Sequence, residues 1–173
     1  MNFKLEEAVE ILANTPSVLN SLLNGLSDKW TIENDNPDNW SAFDVIGHLI
    51  QGEESDWMVR AEIILAQDEP RSFEPFDRFA QFEKSKGKSL DELLATFERL
   101  RKQNLTRLQQ MNINPEKLNL KGLHPAFGEV TLEQLLSTWV VHDLTHIRQI
   151  TIFLAQKYAP AVGPWKEYLS ILK

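Results

Sequence analysis

The sequence predicts an all-α protein, a four-helix bundle with two long connections. Three segments open with a capping signal, a Ser or Thr followed three residues later by an acidic residue or Gln, at Ser41, Ser89 and Thr131. Apolar residues then recur every three or four positions, which is the period of a helix. The 7 Gly and 8 Pro cluster between the segments, and no repeat or strand alternation is present. We expect one domain covering residues 1–173.

The N-terminal region predicts two amphipathic helices separated at Asn14-Thr15-Pro16. The apolar residues of the first are Phe3, Leu5, Val9 and Leu12, and those of the second are Val18, Leu19, Leu22, Leu23 and Leu26. Thr15 can cap the second helix with Pro16 at its first position, and Gly25 suits its C-terminal end. A polar, turn-rich segment from Glu33 to Asn39 follows.

The rest of the chain predicts three longer helices, one after each capping signal: Ser41 to about Gln67, Ser89 to about Met111, and Thr131 to about Tyr158. Residues 68–88 are predicted to form a long loop with one short helix around Phe79. A second loop is predicted from Asn112 to Gly128, and one short terminal helix from Trp165 to Leu172.

The composition excludes several classes of protein. Asp and Glu number 25 against 18 Lys and Arg, and the resulting net charge of -7 argues against a nucleic-acid binder. No run of about 18 apolar residues is present, so no membrane span is expected. The start MNFKLEEAVE is unlike a secretory signal, so we expect a cytoplasmic protein. The absence of Cys excludes disulfides, Cys-ligated metals and a protein thiol nucleophile, which leaves four His as candidate ligands.

Two of these histidines, His142 and His146, are one helical turn apart. At this spacing two imidazoles emerge from one helix face and can converge on one metal ion at about 2.0–2.1 Å. The same stripe carries four apolar residues, Leu135, Trp139, Ile150 and Phe153. The pair therefore points into the bundle, where its nitrogens need donors or a cation. On this spacing alone, two separately satisfied core histidines remain an equal alternative.

His48 lies in the middle of the helix that begins at Ser41, four residues before Gly52. Gly in a helix interior costs about 1 kcal/mol relative to Ala. Gly52 therefore indicates either space beside His48 for an ion, its waters or a substrate, or close approach of a neighbouring helix. If His48 lies opposite His142 and His146, three neutral imidazoles form a site with open coordination positions, as in catalytic metal sites.

Three further residues are candidate acceptors for the second N–H of each imidazole: Asp44, Asp143 and Gln149. Asp143 can equally be a solvated residue. His124, in a loop before Pro125, is predicted to be a turn residue or, as the lesser alternative, a proton-transfer group at the mouth of the site. Glu53 and Glu54 point away from His48 on a helical wheel, which favours a surface or interhelix role.

Three segments of the chain together resemble the DinB-like superfamily. Residues 40–49 read WSAFDVIGHL, residues 124–132 read HPAFGEVTL, and residues 141–150 read VHDLTHIRQI. The resemblance covers nearly the whole chain and implies a DinB-like four-helix bundle with short extra helices. It also implies a divalent metal bound through His48, His142 and His146, and a homodimer. Characterised members include bacillithiol S-transferases and a mycothiol-dependent maleylpyruvate isomerase, whereas many others have no assigned reaction.

We therefore expect a divalent-metal-dependent enzyme with a small-molecule substrate, either a small-thiol-dependent S-transferase or a related hydrolase. The attacking group would be a metal-bound water or a thiol from a low-molecular-weight cofactor. Zinc is the default for three imidazoles, and nickel, iron or manganese would fit a site with more waters. The loop at 68–88 could cover the pocket with Phe73, Phe76 and Phe79. The alternative is a non-catalytic metal-binding stress-response protein.

Overall fold

Four long helical segments pack together and confirm the predicted all-α bundle. The computed structural model describes residues 3–34, 36 and 39–173. The helices are, in chain order, α1 (Leu5–Leu23), α2 (Asp28–Thr31), α3 (Ala42–Ser55), α4 (Trp57–Ala66), α5 (Ala80–Ser85), α6 (Leu90–Gln110), α7 (Pro115–Leu118) and α8 (Leu132–Gln156). Both α1 and α3 pack against α6 and α8, and α4 continues α3 along α8. Residues 35, 37 and 38 of the predicted turn-rich segment lie outside the described residues.

The three capping signals form reciprocal capping boxes at the starts of α3, α6 and α8. At α3, the backbone N–H of Asp44 donates to Ser41 Oγ over 3.2 Å, and the Asp44 carboxylate accepts from the Ser41 backbone N–H over 2.9 Å. Ser89 with Glu92 and Thr131 with Gln134 make the same pair of bonds. Each box satisfies two backbone N–H groups that a helix start leaves without a partner. The predicted starts of these helices are therefore confirmed.

The predicted break at Pro16 is wrong, because α1 runs through it. Pro16 has no N–H to donate to the carbonyl four residues earlier, which belongs to Leu12. The Leu12 carbonyl instead accepts a hydrogen bond from Arg101 Nη1 over 2.8 Å. Thr15 caps nothing, and its hydroxyl donates to the carbonyl of Ile11 over 3.1 Å. A side chain from another helix therefore replaces the bond that proline removes.

The helix predicted from Ser41 to about Gln67 is interrupted at Asp56, between α3 and α4. Asp is a weak helix former because its carboxylate competes for nearby donors, and Asp56 pairs with Arg60 over 2.6 Å. The Trp57 indole packs against Gly52, where an added Cβ would lie 3.0 Å from Trp57 Nε1. Gly52 therefore makes room for a side chain of the following helix rather than for an ion or a substrate.

The region from Asn112 to Gly128 is not the plain loop that we predicted. It contains α7 and the first strand of an antiparallel hairpin, β1 (Lys121–His124) and β2 (Gly128–Thr131). The backbone of Leu123 also exchanges hydrogen bonds with Arg71 and Phe73 of the preceding long connection. Four-residue strands are too short to produce a recognisable alternation in the sequence.

Other connections agree more closely with the sequence. The short helix expected around Phe79 is α5, which begins one residue later. Gly25 follows the end of α1 with a φ of +79°, a conformation that glycine adopts without strain. The predicted terminal helix is instead a pair of 3₁₀ turns, Gly163–Tyr168 and Ser170–Leu172. None of the helices in the described part of the chain is long and apolar enough to cross a membrane.

Two apolar clusters fill the bundle, one built around Trp57 and Trp139 and the other around Ile46 and Phe97. Four buried polar residues from α3, α6 and α8 lie between them along the helices, and we call them the polar layer: Glu53, Arg101, Asn104 and Asp143. Polar groups are buried only where they are paired. This part of the bundle is therefore held together by hydrogen bonds and ion pairs. It adjoins the helix turns that carry the histidines.

Candidate metal centre

Three histidines from α3 and α8 converge inside the bundle, and we call them the three-histidine cluster: His48, His142 and His146. The Nε2 atom of His142 lies 3.1 Å from His48 Nε2 and 3.0 Å from His146 Nε2. His48 is 7% exposed and His146 is 8% exposed. The three side chains therefore lie close together, as we expected from the sequence. Their role as metal ligands stays a prediction.

Burial lowers the pKa of every imidazole in the cluster. The pKa of His48 falls to about 4, first through desolvation and then through the charges of His146 and Arg78. Desolvation also lowers the pKa of His142 to about 2, with His146 and His48 adding to the effect, and it lowers the pKa of His146. All three rings are therefore neutral near pH 7, and each carries a free lone pair.

Hydrogen bonding alone does not satisfy these nitrogens. Nε2 of a neutral imidazole has either one N–H or one lone pair, yet His142 Nε2 contacts two other Nε2 atoms. Among the described residues, neither His48 Nδ1 nor His142 Nδ1 has a partner although both atoms are buried. Nitrogens bound to one ion at about 2.0–2.1 Å lie about 3.0–3.4 Å apart when they occupy adjacent positions. The observed separations of 3.0 and 3.1 Å fit such an ion.

Of the predicted acceptors, Gln149 contacts the cluster, with its Oε1 2.8 Å from His146 Nδ1. That bond fixes Nδ1 as the protonated nitrogen and leaves the Nε2 lone pair directed toward the other two rings. Asp44 lies in the capping box of α3, where its carboxylate accepts from Ser41. Asp143 pairs with Arg101 of α6 instead of accepting from an imidazole.

The polar layer is a buried network of charged and polar side chains, and its α6 members, Arg101 and Asn104, were not expected from the sequence. Arg101 Nε donates to Glu53 Oε1 over 3.0 Å, and its Nη1 and Nη2 donate to the Asp143 carboxylate over 2.5 and 3.0 Å. Asn104 Nδ2 and Trp139 Nε1 also donate to Glu53, over 2.9 and 3.2 Å. Burial raises the pKa of Glu53 and Arg101 opposes that rise. The layer ties α6 to the two helices that carry the histidines.

The other glutamate considered, Glu54, forms an exposed ion pair with Lys84 over 2.7 Å. Of the two roles expected for these glutamates, Glu53 therefore has the interhelix role and Glu54 has the surface role.

Aromatic rings enclose the cluster on several sides. The Trp40 ring lies 4.9 Å from the His48 ring, and Phe76 meets His48 edge-on at 5.5 Å. Trp57 contacts His142 at 5.0 Å. Of the three phenylalanines expected to cover the pocket, Phe76 does so, whereas Phe73 is buried under the hairpin and Phe79 is 59% exposed.

A cavity of about 470 Å³ opens onto the cluster. The described residues that line it are Asn39, Trp40, His48, Phe76, Arg78, His142, His146 and Gln149. A larger groove of about 740 Å³ between α3 and α6 contains none of the three histidines. Trp40 and Arg78 could not be predicted as site residues, because neither belongs to a ligand motif and only the fold brings them to the cavity.

His124 belongs to the hairpin turn and does not line this cavity. Its Nδ1 accepts from the backbone N–H groups of Ala126 and Phe127, over 3.1 and 3.3 Å. Its ring also stacks on the Phe127 ring at 4.4 Å. These contacts agree with the turn role rather than with proton transfer at the site.

Comparisons with known proteins identify a family and a similar fold. A family model described as the DinB superfamily matches residues 11–150. No curated protein matches the chain. One solved structure, YfiT from Bacillus subtilis, is similar with a TM-score of 0.76 and 21% sequence identity, covering 90% of this chain and 90% of its own. It is described as "a probable metal-dependent hydrolase with an unusual four-helix bundle topology". At this identity the likeness shows the fold.

Proposed function

The chain belongs to the DinB superfamily, and from that premise we propose that it is an enzyme that binds one divalent transition-metal ion through His48, His142 and His146. The observation that carries the proposal is the convergence of three neutral Nε2 atoms, with separations of 3.0 and 3.1 Å, at the base of an open cavity. A buried group of lone pairs without donors is costly unless a cation accepts them.

The donor set is three neutral nitrogens, which leaves the 2+ charge of the ion uncompensated by the protein. Zinc suits three imidazoles by default, and nickel, iron or manganese suit a six-coordinate site. When bound, such an ion supplies Lewis acidity that activates a nucleophile at neutral pH and polarises a substrate. Gln149 holds the proton of His146 on Nδ1, and the Trp40 and Phe76 rings contact the His48 ring and help to fix its position.

Hydrolysis of a small-molecule substrate is the reaction that we propose first. Two observations support it: the open cavity beside the cluster, and the similarity in fold to YfiT, which is described as a probable metal-dependent hydrolase. The cavity volume of about 470 Å³ is in the range of small-molecule sites. Its described lining offers no carboxylate to act as a general base, so activation of the nucleophile would depend on the ion.

Small-thiol-dependent S-transfer is the second candidate, because the sequence resembles a superfamily with thiol-dependent members. The chain has no Cys, so the reacting thiol must come from a separate small molecule. Activation would then lower the pKa of that thiol and make the thiolate available to an electrophile.

The test compares the wild type with His48→Ala and with His124→Ala, a matched control that alters a histidine outside the cavity. Metal-loaded protein is assayed for hydrolysis of an ester and amide panel, and for thiol consumption with monochlorobimane and several small thiols. Turnover that is lost in His48→Ala and kept in His124→Ala supports an enzyme and identifies the reaction class. No turnover above the His48→Ala rate in either assay contradicts it and favours a non-catalytic metal-binding stress-response protein.

The predicted homodimer, the single domain over residues 1–173 and the cytoplasmic location stay predictions. Light scattering coupled to size-exclusion chromatography tests the first, with a mass of twice 19.9 kDa expected.

A further inference from the structure

The cavity beside the three-histidine cluster has an unusual charge for this protein. The chain carries 25 Asp and Glu against 18 Lys and Arg, yet no Asp or Glu is among the described residues that line the cavity. Among these described lining residues, Arg78 alone carries a formal positive charge. The described lining therefore combines three neutral imidazoles with one guanidinium, and a cationic group without an acidic neighbour in a cavity favours an anionic ligand.

Arg78 has no acceptor of its own within the part of the chain that the structure describes. Four other arginines form ion pairs with carboxylates, namely Arg60, Arg71, Arg101 and Arg107. Arg78 makes no such ion pair with any described residue and instead lies over two aromatic rings, Trp40 at 5.5 Å and Phe79 at 5.1 Å. Stacking of this kind holds the planar guanidinium in place and leaves its N–H groups available to a ligand.

The position of Arg78 relates it to the chemistry of the cluster. Trp40 contacts Arg78 through its ring face and also lies 4.9 Å from the His48 ring, so one indole connects the guanidinium to the histidines. Arg78 and the three histidines also line the same cavity. A ligand that occupies the cavity therefore meets the guanidinium and the imidazoles together.

We infer that Arg78 binds an anionic group of the substrate, a carboxylate or a phosphate, while the reacting part of the same molecule lies against the three-histidine cluster. Guanidinium presents two parallel N–H donors that match either oxyanion. The placement of the reacting group rests on the proposed function, because it takes the three-histidine cluster as the reacting site. It adds the substrate class, a small molecule with one anionic end.

The test is a titration of the full chain, both as purified and after removal of bound metal, followed by NMR at the Trp40 indole N–H. The probes are succinate, inorganic phosphate and succinamide, which is the neutral counterpart of succinate. The variants are Arg78→Gln, Arg78→Lys and Arg99→Gln. Arg99 is an exposed arginine that lines the separate groove between α3 and α6, so its variant makes the same change in net charge away from the cavity.

We expect saturable binding of succinate, phosphate or both, and none of succinamide. The affinity should fall about tenfold or more in Arg78→Gln, because a charged hydrogen-bonding partner is lost. It should fall less in Arg78→Lys, which keeps the charge but not the two-pronged donor, and it should be unchanged in Arg99→Gln. The anion that binds tells whether the substrate group is a carboxylate or a phosphate.

Three results would overturn the inference: no saturable binding of either anion, equal affinity in Arg78→Gln and the wild type, or equal binding of succinamide. Because the metal-stripped protein is included, this outcome is separate from that of the metal proposal. Anion binding that depends on Arg78 in a protein that takes up no metal would leave the anion-binding role of Arg78 standing and remove both the proposed enzyme and the placement of the reacting group against the cluster.

Discussion

Replacement of Arg101 by Met should be the most damaging single change to the polar layer. The Arg101 side chain is 1% exposed, and the Glu53 and Asp143 side chains that it pairs with are 0% exposed. Its loss leaves two buried carboxylates without a counter-ion and leaves the Leu12 carbonyl without the donor that compensates for Pro16. Met has a similar length and no charge, so the variant removes the charge and the donors while it keeps most of the volume.

The expected loss of unfolding free energy is about 3–5 kcal/mol, the usual cost of removing one partner from a buried ion pair. We expect a loss near the upper end of that range, because the Leu12 carbonyl also loses its donor and an unsatisfied buried acceptor costs about 1–3 kcal/mol by itself. With a urea m-value of about 2 kcal/mol/M, the denaturation midpoint should fall by about 2 M. Urea titrations followed by far-UV circular dichroism measure this directly.

The matched control is Arg107→Met, on the same helix. Arg107 pairs with Glu62 at the surface, where the two side chains are 50% and 47% exposed, so its replacement should cost about 0–1 kcal/mol. A second readout is pH, because removal of Arg101 takes away the main opposition to the rise that burial causes in the pKa of Glu53, and only the Asn104 hydrogen bond still lowers it. A carboxyl whose folded pKa exceeds its unfolded value gains stability as pH falls. Arg101→Met should therefore regain stability relative to the wild type as the pH is lowered from neutral.

The triple variant Arg101→Met, Glu53→Gln, Asp143→Asn should recover at least half of the lost stability, since no unpaired charge remains buried. A midpoint for Arg101→Met equal to that of Arg107→Met, or a triple variant no more stable than Arg101→Met, would refute this reasoning about the polar layer.

Two further predictions concern the histidines. Gln149→Leu should weaken metal affinity about 10- to 100-fold, because it removes the acceptor at His146 Nδ1. The control is Gln51→Leu, which should leave the affinity unchanged, because Gln51 has the same spacing after His48 but makes no bond to it. Equal affinities of the two variants in calorimetric titrations would contradict this prediction. The metal-stripped protein should lose stability as pH falls from about 6.5 toward 4, by roughly 2 kcal/mol per histidine at pH 5, because the pKa values of His48 and His142 drop to about 4 and about 2 on folding. Substitution of both by Gln should flatten that dependence in thermal melts, and an unchanged slope would count against it.

The long helices could be predicted because their start signals are local. Each capping box needs two residues three positions apart, and the Ser89 and Thr131 boxes form without help from the rest of the chain. The continuity of α1 could not be predicted this way, since it depends on Arg101 reaching the Leu12 carbonyl from a helix that begins 67 residues after α1 ends, Leu23 against Leu90. The hairpin escaped notice for a related reason, because its short strands are stabilised by contacts with residues 71–73.

The ligand candidates could be predicted because histidines inside an apolar stripe are conspicuous. The polar layer left a fainter signal, namely that Arg101 and Asn104 fill the helical positions between Phe97 and Leu108 where apolar residues are expected. Asp143 was considered as an acceptor for a histidine, but spacing along one helix cannot tell which neighbouring helix supplies its partner. Arg78 lies in a connection without periodicity, so only the fold relates it to His48.

The most direct test of the three-histidine site is metal uptake by the full chain. Tag-free protein, stripped and then dialysed against Zn²⁺ or Ni²⁺, should hold one ion per chain by elemental analysis. His48→Ala, His142→Ala and His146→Ala should each lose most of that ion, while His124→Ala should keep it, because its imidazole lies in the hairpin turn. No uptake by the wild type, or one ion per chain in all three cluster variants, would contradict the site.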